Sequence, residues 1–507
     1  MPETAVRPSI IQGGMGVGIS DWRLARAVSS TGQLGVVSGT ALEVLCTRRL
    51  QAGDPGGHVR RALAAFPSPA VAEWILASYF VDGGIAPDAP FRQVPRHTLA
   101  SSQRLLELTT AANFVEVFLA KEGHAGPVGV NYLCKIELPL PAALYGAILA
   151  DVDVVLAGAG SPAEVPAMAR RLARHEPATW SVRVQGAPSS DRRGDVVFDP
   201  AVVLPHPPAA RRVPQVLAIV ASTDLARGLA EHPETRPDGF VVEGPSAGGH
   251  NAPPRGPRRV DDLGQPVYDE RDHVDVPSLV GLGLPVWLAG SYGTPERYRE
   301  ALALGAAGVQ VGTAFACCDE SGLDATLKQQ VRDAARSGTL RVRADWRASP
   351  TGFPFRVAEL PGTLSDQLVV ATRQPVCDLG VLRSAFVGHD GEVDYRCPAE
   401  PPKAYGRKGG REANAEGRIC LCNALFASAG YAQRRPHGGV EPPLVTSGSD
   451  VTTVAALLAA SECDGRAGAG YTARDVVDHL LGHTRQHVPP EGLEPPTDRV
   501  ETGCSLH

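Results

Sequence analysis

The sequence predicts an α/β protein built on a closed (β/α)8 barrel of the TIM type, and three observations lead to this prediction. Between Ile10 and about Phe315, short apolar segments end in Gly, Ser or Asn and are followed by segments with helix signals, a pattern typical of repeated βα units. These segments are rich in Val, Ile and Leu and do not alternate, as expected of a parallel sheet covered on both faces. There are eight of them, which fits a closed barrel, with an open doubly wound sheet as the alternative.

The eight predicted strands lie, in chain order, in SIIQGGMG at 9–16, LGVVSG at 34–39, GPVGVNYL at 126–133, DVDVVLAGAG at 151–160, QVLAIVAS at 215–222, DGFVVEG at 238–244, GLPVWLAGS at 283–291 and AGVQVGTAF at 307–315. Helix signals follow several of them. Ser20 or Asp21 can cap the first helix, Ser161 a later one, and Thr294 one that ends at Gly305. Each predicted strand is thus bounded by residues that favour a turn or a helix start.

Two stretches depart from this pattern. Residues from about 48 to 126 are too long for one crossover, so we expect an inserted helical cap over the barrel mouth within a barrel domain at 1–340. Residues 341–484 are irregular and rich in Gly and Pro, and we expect a C-terminal appendage that packs on the barrel. Residues 485–507 have the composition of a disordered tail.

Composition restricts the partners. The 507 residues carry a formal net charge of -6, which gives no electrostatic reason to expect nucleic acid or an anionic membrane. No apolar run reaches the roughly 20 residues of a membrane helix, and the N-terminus lacks signal-peptide order. We therefore expect a cytoplasmic protein that acts on a small molecule. Its oligomeric state stays open, with a homo-oligomer among the options.

The ten cysteines are irregularly spaced, which favours reduced thiols over a disulfide framework. Cys377, Cys397, Cys420 and Cys422 lie after the predicted barrel and could suggest a metal site. Their gaps lack the paired C-x2-C spacing of zinc ribbons, so no metal site is predicted.

Glycines cluster at the carboxyl ends of the predicted strands, where barrel enzymes place their sites. In VVEGPSAGGHN, Gly248 and Gly249 would let the backbone approach a bound planar or phosphorylated group, and His250 would face the pocket. The alternative is a glycine-rich loop with an exposed histidine.

After the last two strands, LAGSYG and VGTAF could bind a phosphate through backbone N–H groups, unless they are ordinary βα turns. GAGSPA at 158–163 fits a dinucleotide fingerprint only poorly, because no acidic residue ends a strand about 20 residues later.

Five motifs together resemble the nitronate monooxygenases, once called 2-nitropropane dioxygenases, and the related FMN-dependent enoyl-acyl-carrier-protein reductases. The motifs are IIQGGMGVGIS, GVNYL, EGPSAGGH, LAGSYG and VQVGTAF, and they follow the family's order and spacing from about Ser9 to Phe315. The resemblance implies a TIM barrel that binds FMN. It places the isoalloxazine beside Gly14, Met15, Gly16 and Asn131, and the phosphate on Gly290, Ser291, Gly293, Gly312 and Thr313.

The same resemblance implies that His250 is the catalytic base. An imidazole is suited to removing a proton from a nitroalkane near neutral pH. The predicted activity is therefore the FMN-dependent oxidation of a nitronate, a nitroalkane or a similar carbon acid with O2. An enoyl-thioester reductase that uses NAD(P)H and a non-catalytic flavin-binding or scaffold protein are the alternatives. Ser291 and Tyr292 depart from the family's paired glycines, which leaves substrate choice open.

Overall fold

The structure is a computed structural model that describes residues 7–188, 190–435, 438–463 and 470–483. Eight parallel strands form its central sheet: Ile10–Gln12 (β1), Gly35–Ser38 (β2), Val128–Leu133 (β3), Val154–Gly158 (β4), Gln215–Val220 (β5), Gly239–Glu243 (β6), Val286–Ala289 (β7) and Gly308–Val311 (β8). Neighbours along the chain pair in parallel, and β1 pairs with β8. A parallel bridge between Ile11 and Leu34 joins β1 to the start of β2 and closes the barrel. The predicted fold class and all eight predicted strands are confirmed.

Helices surround the barrel. Those of the barrel and its insertion are Trp22–Ser29, Leu42–Gln51, His58–Ala64, Pro69–Tyr79, Gln103–Lys121, Leu140–Leu149, Val165–Ala173, Thr223–Glu231, Val276–Val280, Pro295–Ala303, Thr313–Ala316 and Ala325–Arg336. Asp21 caps the first, because its carboxylate accepts the N–H groups of Arg23 and Leu24. Thr294 caps its helix as expected. Ser161 does not, since that helix begins at Val165 with Glu164 in the cap position.

The barrel interior is a packed core rather than a pore. Its buried side chains come from most of the strands and are Ile11, Leu34, Val36, Val154, Leu156, Leu217, Val241, Trp287 and Ala289. The Trp287 indole N–H donates to the Pro8 carbonyl over 2.7 Å at the amino-terminal end. This filling leaves the carboxyl ends of the strands as the place where a cavity can open.

The insertion packs against the outside of the barrel. Its helices bury Val59 and Ile75 in a core cluster shared with Trp22, and the rings of Phe66 and Phe114 meet edge to face 5.3 Å apart. We expected this insertion to cover the barrel mouth. None of residues 48–126, all of which the structure describes, lines the cavity there.

The C-terminal region has little regular structure. It contains strands Val342–Asp345, Phe355–Ala358, Ser384–Val387 and Val393–Arg396, and helices Gln367–Thr372, Pro402–Arg407, Leu421–Ser428, Thr452–Cys463 and Ala473–Leu481. Strand Phe355–Ala358 pairs with the short strand Gly249–His250 of the β6–β7 loop. A two-stranded hairpin of Ala178–Ser181 and Asp195–Phe198 lies in the β4–β5 connection.

The last two helices pack on the barrel helices. Helix Ala473–Leu481 contacts Trp22–Ser29 and Pro295–Ala303, and it buries Val476 and Leu480 in the same core cluster as Leu24. The division into units at residue 340 stays a prediction, and the expected tail at 485–507 lies outside the described residues. Among the described helices, none combines the length and apolar character that crossing a membrane requires.

Candidate active site at the carboxyl ends of the strands

A cavity opens at the carboxyl ends of the barrel strands. Every sequence-predicted site residue lines it: Gly14, Met15, Gly16, Asn131, Gly248, Gly249, His250, Gly290, Ser291, Gly293, Gly312 and Thr313. The C-terminal region closes the other side with mostly apolar side chains, which include Phe355, Leu382, Leu421, Leu425 and Leu444. The cavity therefore lies between the barrel and the C-terminal region.

The loop after β1 is held close to β3. The Asn131 side-chain amide donates to the Gly14 carbonyl over 3.1 Å. A Cβ atom added to Gly14 would lie 2.4 Å from the Cβ of Asn131, so only glycine allows this approach. The Met15 N–H donates to the Ser20 hydroxyl over 2.9 Å, which fixes the turn. The backbone of this loop can therefore border a flat ligand closely.

The loops after β7 and β8 leave backbone donors unused. Gly290 has a φ of +94°, and Ser291 follows with +59°, a left-handed conformation that is costly for a residue with a Cβ atom. Within the described residues, the N–H groups of Ser291, Gly293 and Thr313 donate no hydrogen bond to the protein. Backbone N–H groups that are unpaired at strand ends can donate hydrogen bonds to an anionic group such as a phosphate.

A C-terminal segment at 446–453 completes this side of the cavity. The Gly448 N–H donates to the Thr313 hydroxyl over 2.9 Å, and a Cβ atom on Gly293 would lie 2.8 Å from Thr453 Oγ1. This segment is not among the site residues predicted from the sequence. Its signal was present in LVTSGSD, an apolar run that ends in Thr, Ser and Gly before a helix, as the barrel strands do.

Gly248 and Gly249 have different surroundings. A Cβ atom on Gly248 would lie 3.0 Å from the N atom of Gly448, so this glycine makes room for the C-terminal segment. Gly249 has a φ of +79° and open space around its Cβ position, and its N–H donates to the Thr446 hydroxyl over 2.9 Å. The sequence predicts that both glycines let the backbone approach a bound ligand, whereas Gly248 approaches the C-terminal segment.

His250 lies in the cavity wall and is held from the C-terminal side. Its Nε2 lies 2.7 Å from the Ser349 hydroxyl, and its ring meets the Phe355 ring edge to face at 5.0 Å. Burial, with a further effect of the Lys135 ammonium, lowers the pKa of His250 to about 3. The imidazole is therefore neutral at physiological pH.

Two further ionisable groups, Glu243 and Lys135, interact electrostatically near His250. Glu243, at the end of β6, lines the cavity, and burial raises the pKa of this carboxyl to about 7 against the opposing effect of Lys135. Burial lowers the pKa of Lys135 to about 8, and its ammonium lies 3.3 Å from the centroid of the Phe353 ring. Both groups titrate near neutrality, which is typical of functional sites. Lys135 is not among the site residues predicted from the sequence.

Residues 209–348 match the family model described as nitronate monooxygenase. Curated protein sequences give no match to this chain.

Solved structures give distant similarities. FabK from Thermotoga maritima is 15% identical with a TM-score of 0.44, over 94% of this chain and 93% of that chain. Nitroalkane oxidase from Streptomyces ansochromogenes is 15% identical with a TM-score of 0.43, over 94% and 95%. The enoyl reductase domain of MlnA from the macrolactin biosynthesis cluster of Bacillus amyloliquefaciens is 12% identical with a TM-score of 0.47, over 94% and 93%.

The family match covers β5 to β8 and includes His250 and the glycine loops after β7 and β8. Over residues 209–348, this match confirms the resemblance to the nitronate monooxygenase family and, with it, the predicted enzyme class of an oxidoreductase.

Proposed function

We propose that this protein is an FMN-dependent oxidoreductase that oxidises a nitronate, a nitroalkane or a similar carbon acid with O2. The observation that carries the proposal is one cavity that combines glycine-lined loops with unused backbone donors and an ionisable wall of His250 and Glu243. The match to the nitronate monooxygenase model over residues 209–348 supports it. Dioxygen as electron acceptor and a cytoplasmic location are parts of the same proposal.

The residues present fit FMN. The N–H groups of Ser291, Gly293 and Thr313 are free to bind a phosphate, with Gly290 and Gly312 keeping side chains out of the way. Gly14, Met15, Gly16 and Asn131 would border the isoalloxazine ring on the opposite side of the cavity. A bound flavin supplies the electron transfer between substrate and dioxygen, and the protein supplies binding, orientation and proton transfer.

Two side chains compete for the role of base. His250 is the residue that the family resemblance implies, but a pKa of about 3 makes its imidazole a weak proton acceptor. Glu243 has a pKa of about 7, close to the operating pH that favours general base catalysis. The Lys135 ammonium acts electrostatically on both groups.

The test compares His250→Asn and Glu243→Gln on two substrates, a neutral nitroalkane and its preformed nitronate. Loss of the base should lower turnover of the nitroalkane by about 10²–10⁴-fold and affect the nitronate much less, because the nitronate needs no deprotonation. Flavin content, read from the visible spectrum, controls for a damaged site. Equal losses on both substrates would recast the mutated residue as a binding or electrostatic group.

The pH profile separates the two candidates. If the Glu243 carboxylate is the base, kcat/KM should rise as pH increases through about 7, because only the deprotonated carboxyl accepts a proton. If His250 is the base, its pKa of about 3 leaves it deprotonated throughout the neutral range, and the profile should be flat there. A profile that falls through this range would contradict both assignments.

A second candidate function is reduction of an enoyl thioester with NAD(P)H. The apolar cavity wall of Phe355, Leu382, Leu421, Leu425 and Leu444 favours it, since such a wall suits an acyl chain. Anaerobic mixing decides between the two activities. Bleaching of the flavin by a nitronate alone supports the oxidase, whereas bleaching by NAD(P)H followed by reoxidation with an enoyl thioester supports the reductase. A purified chain that takes up no FMN would indicate a binding or scaffold protein.

A further inference from the structure

A buried hydroxyl group of the C-terminal region faces the cavity without a partner. Thr453 is 4% exposed and lines the cavity, and a Cβ atom added to Gly293 in the loop after β7 would lie 2.8 Å from its Oγ1. Within the described residues this hydroxyl makes no hydrogen bond. Buried polar side chains in proteins are nearly always hydrogen-bonded, so an unpaired one at a cavity indicates a ligand.

Thr453 belongs to the first turn of a helix that meets the cavity with its N-terminus. Of the twelve residues of helix Thr452–Cys463, only Thr453 lines the cavity, whereas Val454 and Leu457 are buried in the core cluster shared with the barrel. The N–H of Thr453 donates to no acceptor in the described part of the chain. Free N–H groups and the partial positive charge of a helix N-terminus favour an anion.

Two hydrogen bonds fix the segment before this helix on the barrel loops. The Gly448 N–H donates to the Thr313 hydroxyl over 2.9 Å in the loop after β8. The Ser449 N–H donates to the Ser246 carbonyl over 3.0 Å in the loop after β6. The Thr453 hydroxyl therefore lies on the same side of the cavity as the free backbone N–H groups after β7 and β8.

The charges at this side of the cavity leave an anion dependent on neutral donors. No lysine or arginine of the described residues lines the cavity. Asp450 does line it and would repel an anion, but its carboxylate accepts the N–H of Thr452 over 3.0 Å and the Thr452 hydroxyl. Arg297 also acts electrostatically on Asp450. Hydroxyl groups, backbone N–H groups and the helix N-terminus are thus the donors that remain.

We propose that the Thr453 hydroxyl and the N-terminus of helix Thr452–Cys463 bind the FMN phosphate together with the loops after β7 and β8. This inference rests on the proposed function and adds a consequence to it. A phosphate held from both sides joins the C-terminal region to the barrel, so that FMN binding and docking of this helix stabilise each other. Riboflavin, which has no phosphate, lacks this effect.

The test titrates FMN and riboflavin separately into the flavin-free full chain and follows flavin fluorescence. Thr453→Val removes the hydroxyl and keeps the shape, so it should weaken FMN binding about 10- to 100-fold and riboflavin binding less than about twofold. Thr453→Ser keeps the hydroxyl and should restore most of the FMN affinity. Ser461→Ala is the matched control, because it removes a buried hydroxyl of the same helix that bonds to the Gly470 carbonyl instead. It should leave the FMN affinity unchanged.

The outcomes separate this inference from the proposed function. Equal FMN affinity in the wild type and Thr453→Val, or equal losses for both flavins, would overturn the inference alone. A wild-type chain that binds neither flavin would overturn both.

A measurement on the wild type covers the case in which Thr453→Val folds poorly. FMN, but not riboflavin, should slow amide hydrogen exchange in residues 446–456, because only the phosphate reaches the helix N-terminus. Equal protection by the two flavins would contradict the inference.

Discussion

The barrel and the C-terminal region are stabilised by different kinds of hydrogen bond. In the barrel, eight strands satisfy one another's backbone groups, so every side chain has a place set by strand periodicity. In the C-terminal region the strands are paired only two or three at a time, and side chains bond to backbone groups instead. Arg418, for example, donates to the Ser349 carbonyl over 3.0 Å, and the Ser428 hydroxyl donates to the Leu444 carbonyl over 2.8 Å.

Both regions nevertheless contribute to the same cavity and contain similar buried ion pairs. In the barrel region Arg49 bridges Glu116 at 2.7 Å and Asp21 at 3.1 Å. In the C-terminal region Glu441 accepts from Arg373 at 2.6 Å and Arg435 at 2.8 Å. The irregular region therefore contains buried ion pairs like those of the barrel, although its structure depends on individual contacts.

The largest expected effect is the loss of the folded barrel when residues 341–507 are deleted. The core cluster shared by both regions would lose Val454, Leu457, Leu458, Tyr471 and Val476, and the apolar side chains beneath them would be exposed. We expect an insoluble or aggregated product without flavin. Deletion of 484–507 alone is the control and should leave solubility unchanged. A soluble barrel at 1–340 that binds FMN would show that the two regions fold independently.

The next largest effect is expected when one buried ion pair is broken in each region. Glu441→Gln leaves the guanidinium groups of Arg373 and Arg435 without their shared carboxylate and should lower the free energy of unfolding by about 3–5 kcal/mol. Glu116→Gln should cost less, because the buried Arg49 keeps its ion pair with Asp21. Glu300→Gln, which removes an exposed pair with Arg297, should change it by less than about 1 kcal/mol. Urea unfolding followed by circular dichroism measures all three. If Glu441→Gln creates an early transition that Glu116→Gln does not, the C-terminal region unfolds separately.

A smaller effect is expected where the barrel loop after β1 approaches β3. Gly14→Ala places a Cβ atom 2.4 Å from that of Asn131, and the forced shift should cost about 1–3 kcal/mol and weaken flavin binding. Gly228→Ala is the matched control, since its Cβ position in helix Thr223–Glu231 is open. That substitution should stabilise the protein by up to about 1 kcal/mol. Thermal melts and the retained flavin absorbance report both, and equal flavin content in the two variants would remove Gly14 from the site.

The smallest expected effect is a gain in stability. Ser291 adopts a left-handed backbone conformation with a φ of +59°, so Ser291→Gly should raise the free energy of unfolding by about 1 kcal/mol. Flavin affinity should stay the same, because the backbone N–H proposed to bind phosphate is retained. A lower affinity in this variant would mean that the serine hydroxyl itself contacts the ligand, which isothermal titration with FMN would detect.

Much of the fold was predictable because it depends on local patterns. Apolar segments of strand length that end in Gly, Ser or Asn locate all eight barrel strands, and the glycine loops after β1, β7 and β8 follow from them. Once parallel strands close into a barrel, their carboxyl ends must meet, so the convergence of Gly14, Asn131, His250 and Gly290 on one cavity needed no further information.

The sequence alone is therefore enough to predict the barrel and the end of it that carries the cavity. The segments that close this cavity and the surroundings of each ionisable group depend instead on tertiary packing. The approach of Ser349 to His250 and of Gly448 to Thr313 joins residues 99 and 135 positions apart, and no periodic signal encodes such pairs. The pKa of Glu243 and the contact between Cys397 and Cys420 are likewise consequences of burial and proximity, which depend on packing between distant segments rather than on local backbone preference.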